Sequence, residues 1–247
     1  MIKEIRGGTM ELKVISHDAS HLAKHDNEAF ALLRRAGFGA SDSSVLLGVN
    51  PFPNNTLADL IKQKQSNTMT DNERAIGQMV NVRKGSDLEP IILEKFIEKF
   101  NIQENKVEKP TAMYRIGDTP LTVNFDGIWE MPMKSFRVPV ECKFVSTYGG
   151  KYYQFEKSID HYGQVYDLMN LGVEVNNIYL MRRAEEAGIP IYYYTQVQQQ
   201  LLALGAPFGY LAALVDKDWT LRVFPVVADA QVQLALMEVA EEQWKLI

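Results

Sequence analysis

Cysteine is almost absent from this chain: its 247 residues contain one, Cys142. An intramolecular disulfide is therefore impossible, and a cysteine-rich zinc or iron–sulfur site is not expected. Long apolar runs are missing too, and no segment approaches the roughly 20 residues of a membrane span. Met1 to Met10 carries charge but no apolar core, so no secretory signal is expected, and the reading is a cytoplasmic protein. Basic residues are not in excess: net charge is -5. That argues mildly against nucleic-acid binding, which favours basic surfaces. Carboxylates that hold cations beside one locally positive groove would give the same sum. What is abundant is ordinary core material, with 46% hydrophobic and 23% charged residues. The length suits one domain, with room for an insertion.

Punctuation and periodicity give a mixed order of elements. Helices are expected at Asp26 to Ala36, broken by Gly37 and Gly39, and from an N-cap at Ser41 to Leu47. Another follows Thr56 to about Gln65. A longer one runs from about Glu73 to Phe100, kinked at Pro90. Strand composition marks Met113 to Ile116, Leu121 to Trp129 and Val138 to Val145. A Tyr-rich helix from about Tyr152 to Leu171, a short strand at Asn177 to Arg182 and a helix at Tyr193 to Leu204 come next. Strands at Gly209 to Asp216 and Thr220 to Val227 precede a final helix, Ala230 to Leu246. This order predicts an α/β fold.

The strongest chemical signal is Asp126 with Glu141-Cys142-Lys143. Alternation along a strand puts Glu141 and Lys143 on one face and Val140 and Cys142 on the other. A hairpin with the preceding strand would bring Asp126 to Glu141. Two adjacent carboxylates repel unless a cation lies between them. Mg²⁺ accepts such oxygens, keeps water and can activate it toward a phosphodiester, with a lysine beside it to orient or deprotonate that water. Glu-x-Lys alone is a weak signal: Glu11–Lys13 and Glu104–Lys106 repeat it. An edge-strand ladder of ion pairs is the plain alternative.

Further pieces of sequence then fall into a known order. "RRAGFGASDSSVLLGVNPF" (34–52), "KGSDLEP" (84–90), "NFDGIW" (124–129), "VECKF" (140–144), "YYYTQVQQQLLALG" (192–205) and "DWTLRVFPVVAD" (218–229) together resemble the YqaJ-like viral recombinases, the family of phage lambda exonuclease. The resemblance spans about Arg34 to the C-terminus. It implies a restriction-endonuclease-like mixed central sheet flanked by helices, of the PD-(D/E)XK superfamily. It also implies a Mg²⁺-dependent double-strand DNA 5′-to-3′ exonuclease, with two metal ions and Mn²⁺ as a substitute. Such an enzyme releases 5′-mononucleotides and leaves a 3′ strand for a single-strand annealing protein. Position by position, the resemblance assigns metal ligation to Asp126, Glu141, Glu89 and the main-chain carbonyl of Cys142. Lys143 would activate water and Gln196 would position it. Arg34 and Ser41 would bind the DNA 5′-phosphate. A homo-oligomer, with a trimeric ring as one form, and a phage or prophage origin in a bacterial host are further implications. An endonuclease, an exonuclease of opposite polarity, or a non-catalytic recombination module are the alternatives.

The spacing departs from the family in one place. About 50 residues separate Lys143 from Gln196, so 146–187 reads as an inserted helix and strand within a single domain. "HYGQVYDLMNLGV" (161–173) echoes "YYTQVQQQLLALGA" (193–206), which makes Gln164 a rival to Gln196. His17, His21 and His25 recur every four residues and would share a helix face. Tyr148, Tyr152, Tyr153 and Phe155, with Lys151 and Lys157, could stack on unpaired bases or fill a core.

Overall fold

The computed structural model describes residues 10–131, 136–161 and 177–247. Two mixed sheets carry the molecule. The smaller has order β1-β4-β5-β2, from β1 (Leu12–Ser16), β4 (Met113–Ile116), β5 (Leu121–Val123) and β2 (Phe38–Gly39). The larger has order β3-β6-β7-β8-β9, from β3 (Val107–Glu108), β6 (Gly127–Glu130), β7 (Arg137–Val145), β8 (Phe208–Val215) and β9 (Leu221–Val227). Strand β7 pairs antiparallel with β6 and parallel with β8. Every residue of β8 is buried, the continuous apolar pattern of a strand covered on both faces. The expected restriction-endonuclease-like arrangement, a mixed sheet flanked by helices, is what forms.

Helices pack over these sheets: α1 (Ala19–His25), α2 (Asn27–Leu33), α3 (Ser43–Leu46), α4 (Leu57–Gln65), α5 (Asp71–Gln78), α6 (Val80–Lys99), α7 (Asn177–Ala187), α8 (Ile191–Leu204) and α9 (Ala230–Trp244). Thr56 and Thr70 cap α4 and α5 through reciprocal bonds with Asp59 and Glu73. Gly205, in the left-handed region at φ 59°, closes α8. The core under α6 and β8 is aromatic, with Phe96, Phe100, Trp129 and Tyr210 in mutual ring contact.

Several expectations are corrected. The strand expected over 121–129 is two strands in different sheets, because Asn124-Phe125-Asp126 leaves the first sheet and enters the second. The long helix breaks at Met79, whose ψ of 130° is extended, and α6 then runs through Pro90 without interruption. The short strand at Asn177 to Arg182 is the first part of helix α7. The sequence NIYLMRRAEEA carries Leu, Met, Arg, Ala and Glu, strong helix formers that outweigh the Ile-Tyr start. Where the Tyr-rich helix is expected to start, a 3₁₀ turn, Gly149–Tyr152, ends at Tyr152 and a second one covers Phe155–Lys157. Residues 162–171 of that expected helix, with Gln164 and most of the echo, lie outside the described residues. Ser41 sits inside a 3₁₀ turn, Ala40–Asp42, so it is not the cap of α3; Asp42 holds that place.

Candidate active site

The split of 121–129 places the acidic residues. Asp126 sits at the entry to β6, and Gly127 pairs with Val140 of β7. That register lets the Cys142 N–H donate to Asp126 Oδ2 at 2.8 Å. One carboxylate is thereby anchored to the strand that carries the other. Gly127 is required there: a Cβ would lie 2.7 Å from Leu93 Cδ1, and Leu93 is buried.

Glu141 is buried, and its two oxygens are held from different sides. Lys143 Nζ and Gln196 Nε2 both meet Oε1. Gln200 Nε2 donates to Oε2 at 2.5 Å and to the Asn124 carbonyl at 3.3 Å. Gln196 and Gln200 stand one turn apart on α8, so both face β7. Gln200 was not anticipated, although its i,i+4 spacing from Gln196 was a usable signal. The glutamines between them turn elsewhere. Gln199 donates to the Phe38 and Thr122 carbonyls of β2 and β5, at 2.9 and 2.8 Å. Gln198 donates to the Val227 carbonyl at 2.8 Å and accepts from Asp229 N–H.

A cleft of about 550 Å³ opens over this cluster. Glu89, Asp126, Glu141, Lys143 and Gln196 all line it, and so do Arg34 and Ser41. Of the site residues assigned from the sequence, all but Cys142 therefore line one cavity. Burial, then the charges of Glu141 and Glu89, push the Asp126 carboxyl well above its ordinary range. Burial and Glu141 likewise push Glu89 up to about 7. For Lys143, burial favours the neutral amine, but Glu141 and Asp126 outweigh it and hold the ammonium above its ordinary value. Carboxylates that resist ionising together are what a divalent cation relieves. The donor set suits a hard cation: Asp126 and Glu141 across one strand pair, with Glu89 on the facing helix. Among the described residues, no three acidic, histidine or cysteine side chains already converge as a metal cage. Glu141 is instead neutralised by Lys143.

Arg34 Nη2 donates to Ser41 Oγ and to Asp42 Oδ1, each at 3.0 Å. Behind them Lys64, with no exposed side-chain surface, donates to Asp42 Oδ2 at 2.8 Å and to the Arg34 carbonyl at 2.9 Å. Burial alone would raise the Asp42 carboxyl, yet Lys64 and Arg34 hold it below its ordinary value. Of the histidines, His17 lies before α1, so only His21 and His25 share its face, with rings 4.5 Å apart. Tyr153 and Phe155 are turned inward, stacked on each other and packed on Phe224, while Tyr148 and Tyr152 stay exposed.

Asp126 thus stands beside Glu141, with Lys143 two residues further along β7, at the centre of a mixed sheet flanked by helices. The chain belongs to the YqaJ-like viral recombinase domain family, whose profile it matches over residues 29–206. Among solved structures, the chain is similar to LHK-Exo, an alkaline exonuclease from Laribacter hongkongensis, at 14% identity. One LHK-Exo structure superposes with a TM-score of 0.48, covering 86% of this chain and 90% of that one. Another, in complex with dAMP, gives 0.51, covering 88% and 92% at 14% identity. Among curated proteins, none matches this sequence. Among the described residues, no helix is long and apolar enough to cross a membrane.

Proposed function

We propose that this protein is a divalent-metal-dependent exonuclease that degrades one strand of duplex DNA from a 5′ end and releases 5′-mononucleotides. The observation that carries this reading is the convergence of Asp126, Glu141 and Lys143 in one cleft with Arg34 and Ser41. Mg²⁺ between the carboxylates would supply a Lewis acid for the scissile phosphate and a water of lowered pKa. The protein's own residues do the rest. The Cys142 N–H fixes Asp126 Oδ2, and Gln200 fixes Glu141 Oε2, so each carboxylate keeps one oxygen oriented by the fold. Lys143 is held protonated by the charges of Glu141 and Asp126. Once those charges are neutralised, its proton is released more easily and it can serve the attacking water as base. Gln196, on the same Glu141 oxygen, orients that water or the phosphate. Glu89 overhangs the site from α6 as a third carboxylate. Arg34 and Ser41 would receive the terminal 5′-phosphate on the guanidinium donors that Asp42 leaves free. The 3′ strand left behind would be the substrate of a single-strand annealing protein.

The test is digestion of linear and covalently closed circular duplex DNA with Mg²⁺ or with EDTA, using Asp126→Ala as control. Linear strands carry a label at the 5′ or the 3′ end. Early Mg²⁺-dependent release of the 5′ label as mononucleotide, with the circle intact, is the expected result. Early release of the 3′ label would reverse the polarity, and cutting of the circle would make the enzyme an endonuclease. DNA binding without any cleavage would leave a recombination module. With Arg34→Ala, the preference for 5′-phosphorylated over 5′-hydroxyl ends should disappear. Equal loss on both ends would remove Arg34 from that role.

A further inference from the structure

An aromatic track leaves the cleft at Lys143. The Lys143 ammonium lies 5.1 Å from the centroid of the Tyr193 ring. Tyr193 meets Tyr192 at 4.3 Å, and Tyr192 meets Phe52 at 5.4 Å. Phe52 is 55% exposed, on the loop between α3 and α4, while Tyr192 opens α8. Tyr152 is 59% exposed and near enough to act on the Tyr192 hydroxyl, with Lys151 Nζ 4.9 Å from its ring. Tyr153 and Phe155 of this Tyr-rich stretch turn inward as core; the exposed Phe52 and Tyr152 have no such explanation. Large exposed rings cost hydration free energy unless something covers them.

We propose that Phe52 and Tyr192, flanked by Tyr152, form a stacking platform for an unpaired nucleobase at a frayed DNA end. This rests on reading the cleft as a nuclease site. Three observations select a nucleic acid as occupant. The platform is continuous with the cleft through Tyr193 and Lys143, so a strand whose phosphate lies at the carboxylates would have its neighbouring base beside these rings. Lys151, at its outer end, complements a phosphate backbone. Rings without a matched set of polar groups suit stacking, which tolerates any base, as an enzyme acting on arbitrary sequence requires. The platform would capture the end nucleotide once it unpairs, which lowers the cost of opening the duplex at the step before cleavage.

The experiment uses a 5′-phosphorylated duplex with 2-aminopurine at its terminal nucleotide, either fully paired or with two mismatched end pairs. Binding is followed by fluorescence with Ca²⁺ in place of Mg²⁺. Wild-type protein should bind the mismatched end more tightly and alter its emission. Phe52→Ala and Tyr192→Leu should each weaken binding to that end by roughly 5- to 150-fold, with a smaller effect on the paired end. Phe52→Trp should restore the preference, and thermal unfolding should stay near wild type because Phe52 is half exposed. Equal affinity of wild type and both variants, or equal loss on paired and mismatched ends, would overturn the platform. So would a change of oligomeric state in Phe52→Ala with DNA binding unchanged, which would make the rings a contact between copies of this chain. If wild type neither binds nor, with Mg²⁺, cleaves DNA, the nuclease reading itself fails. Cleavage by wild type with silent platform variants removes only this inference.

Discussion

Lys143 and Glu141 show how a pair two residues apart on a strand is turned into a working site. Alternation gives both the same face, but the fold supplies the energies. Glu141 is buried and would be costly as a lone charge; Lys143, Gln196 and Gln200 satisfy it. Removing the lysine separates chemistry from folding, because two amide donors remain on the carboxylate. Lys143→Ala should lower Mg²⁺-dependent cleavage by about 10²- to 10⁴-fold while leaving DNA binding and far-ultraviolet circular dichroism near wild type. A single-turnover assay beside a binding titration decides it, and full cleavage by the variant would exclude lysine from the mechanism. Asp126 and Glu141-x-Lys143 were legible in the sequence because a strand's period is local. Gln200 was legible only as the i,i+4 neighbour of Gln196, since its role depends on which side of α8 meets β7.

At the scale of elements, the site depends on β7 lying between β6 and β8. Pro139 sits inside β7 and pairs with Ile128 of β6, while parallel pairing with β8 begins one residue later, at Val140–Tyr210. Gly209 makes room for the proline: a Cβ there would lie 2.7 Å from Pro139 Cγ and 2.9 Å from its carbonyl oxygen. Backbone cannot retreat cheaply, so Gly209→Ala should destabilise the protein by about 1–3 kcal/mol, as overpacking does. Urea denaturation measures this, and an unchanged midpoint would show that the strands separate without cost. Helix α6 makes the complementary point. Its Pro90 reads as an interruption, but the flanking Ile92, Leu93 and Phe96 are buried, and their packing carries the helix through the residue. Met79 breaks the pattern instead, at a position where propensity gives no warning.

The whole molecule is tied together near the cleft by Arg35 and Glu73. Arg35 donates to both Glu73 oxygens at 2.7 Å, and Gln63 adds a bond at 2.6 Å, so the 3₁₀ turn after α2 (Arg34–Ala36), α4 and α5 meet at one carboxylate. Burial would raise the Glu73 carboxyl, but Arg35, the Thr70 N–H and Gln63 lower it from 4.5 to about 2. A carboxyl whose folded pKa is depressed binds fewer protons in the folded state. Its stabilisation is therefore fully present above about pH 4.5 and is lost as pH falls toward 2. The denaturation midpoint of wild type should exceed that of Glu73→Gln at neutral pH, and the gap should close between pH 4.5 and 2. A gap that is constant across that range would show that Glu73 contributes through packing alone.

Sequence by itself determined the mixed α/β order, the shared face of Glu141 and Lys143, and the motif series that places the chain among the YqaJ-like recombinases. Each of these is carried by near neighbours or by recurring short patterns. Tertiary structure alone decided that 121–129 divides between two sheets and that Arg34 and Ser41 open onto the cavity of Asp126. It alone also turned Gln196 and Gln200 toward Glu141 while Gln198 and Gln199 brace the strands. The physical reason is the same in each case: a hydrogen bond, a burial cost or a charge shift depends on which distant residue arrives within a few ångströms, and no local period encodes that.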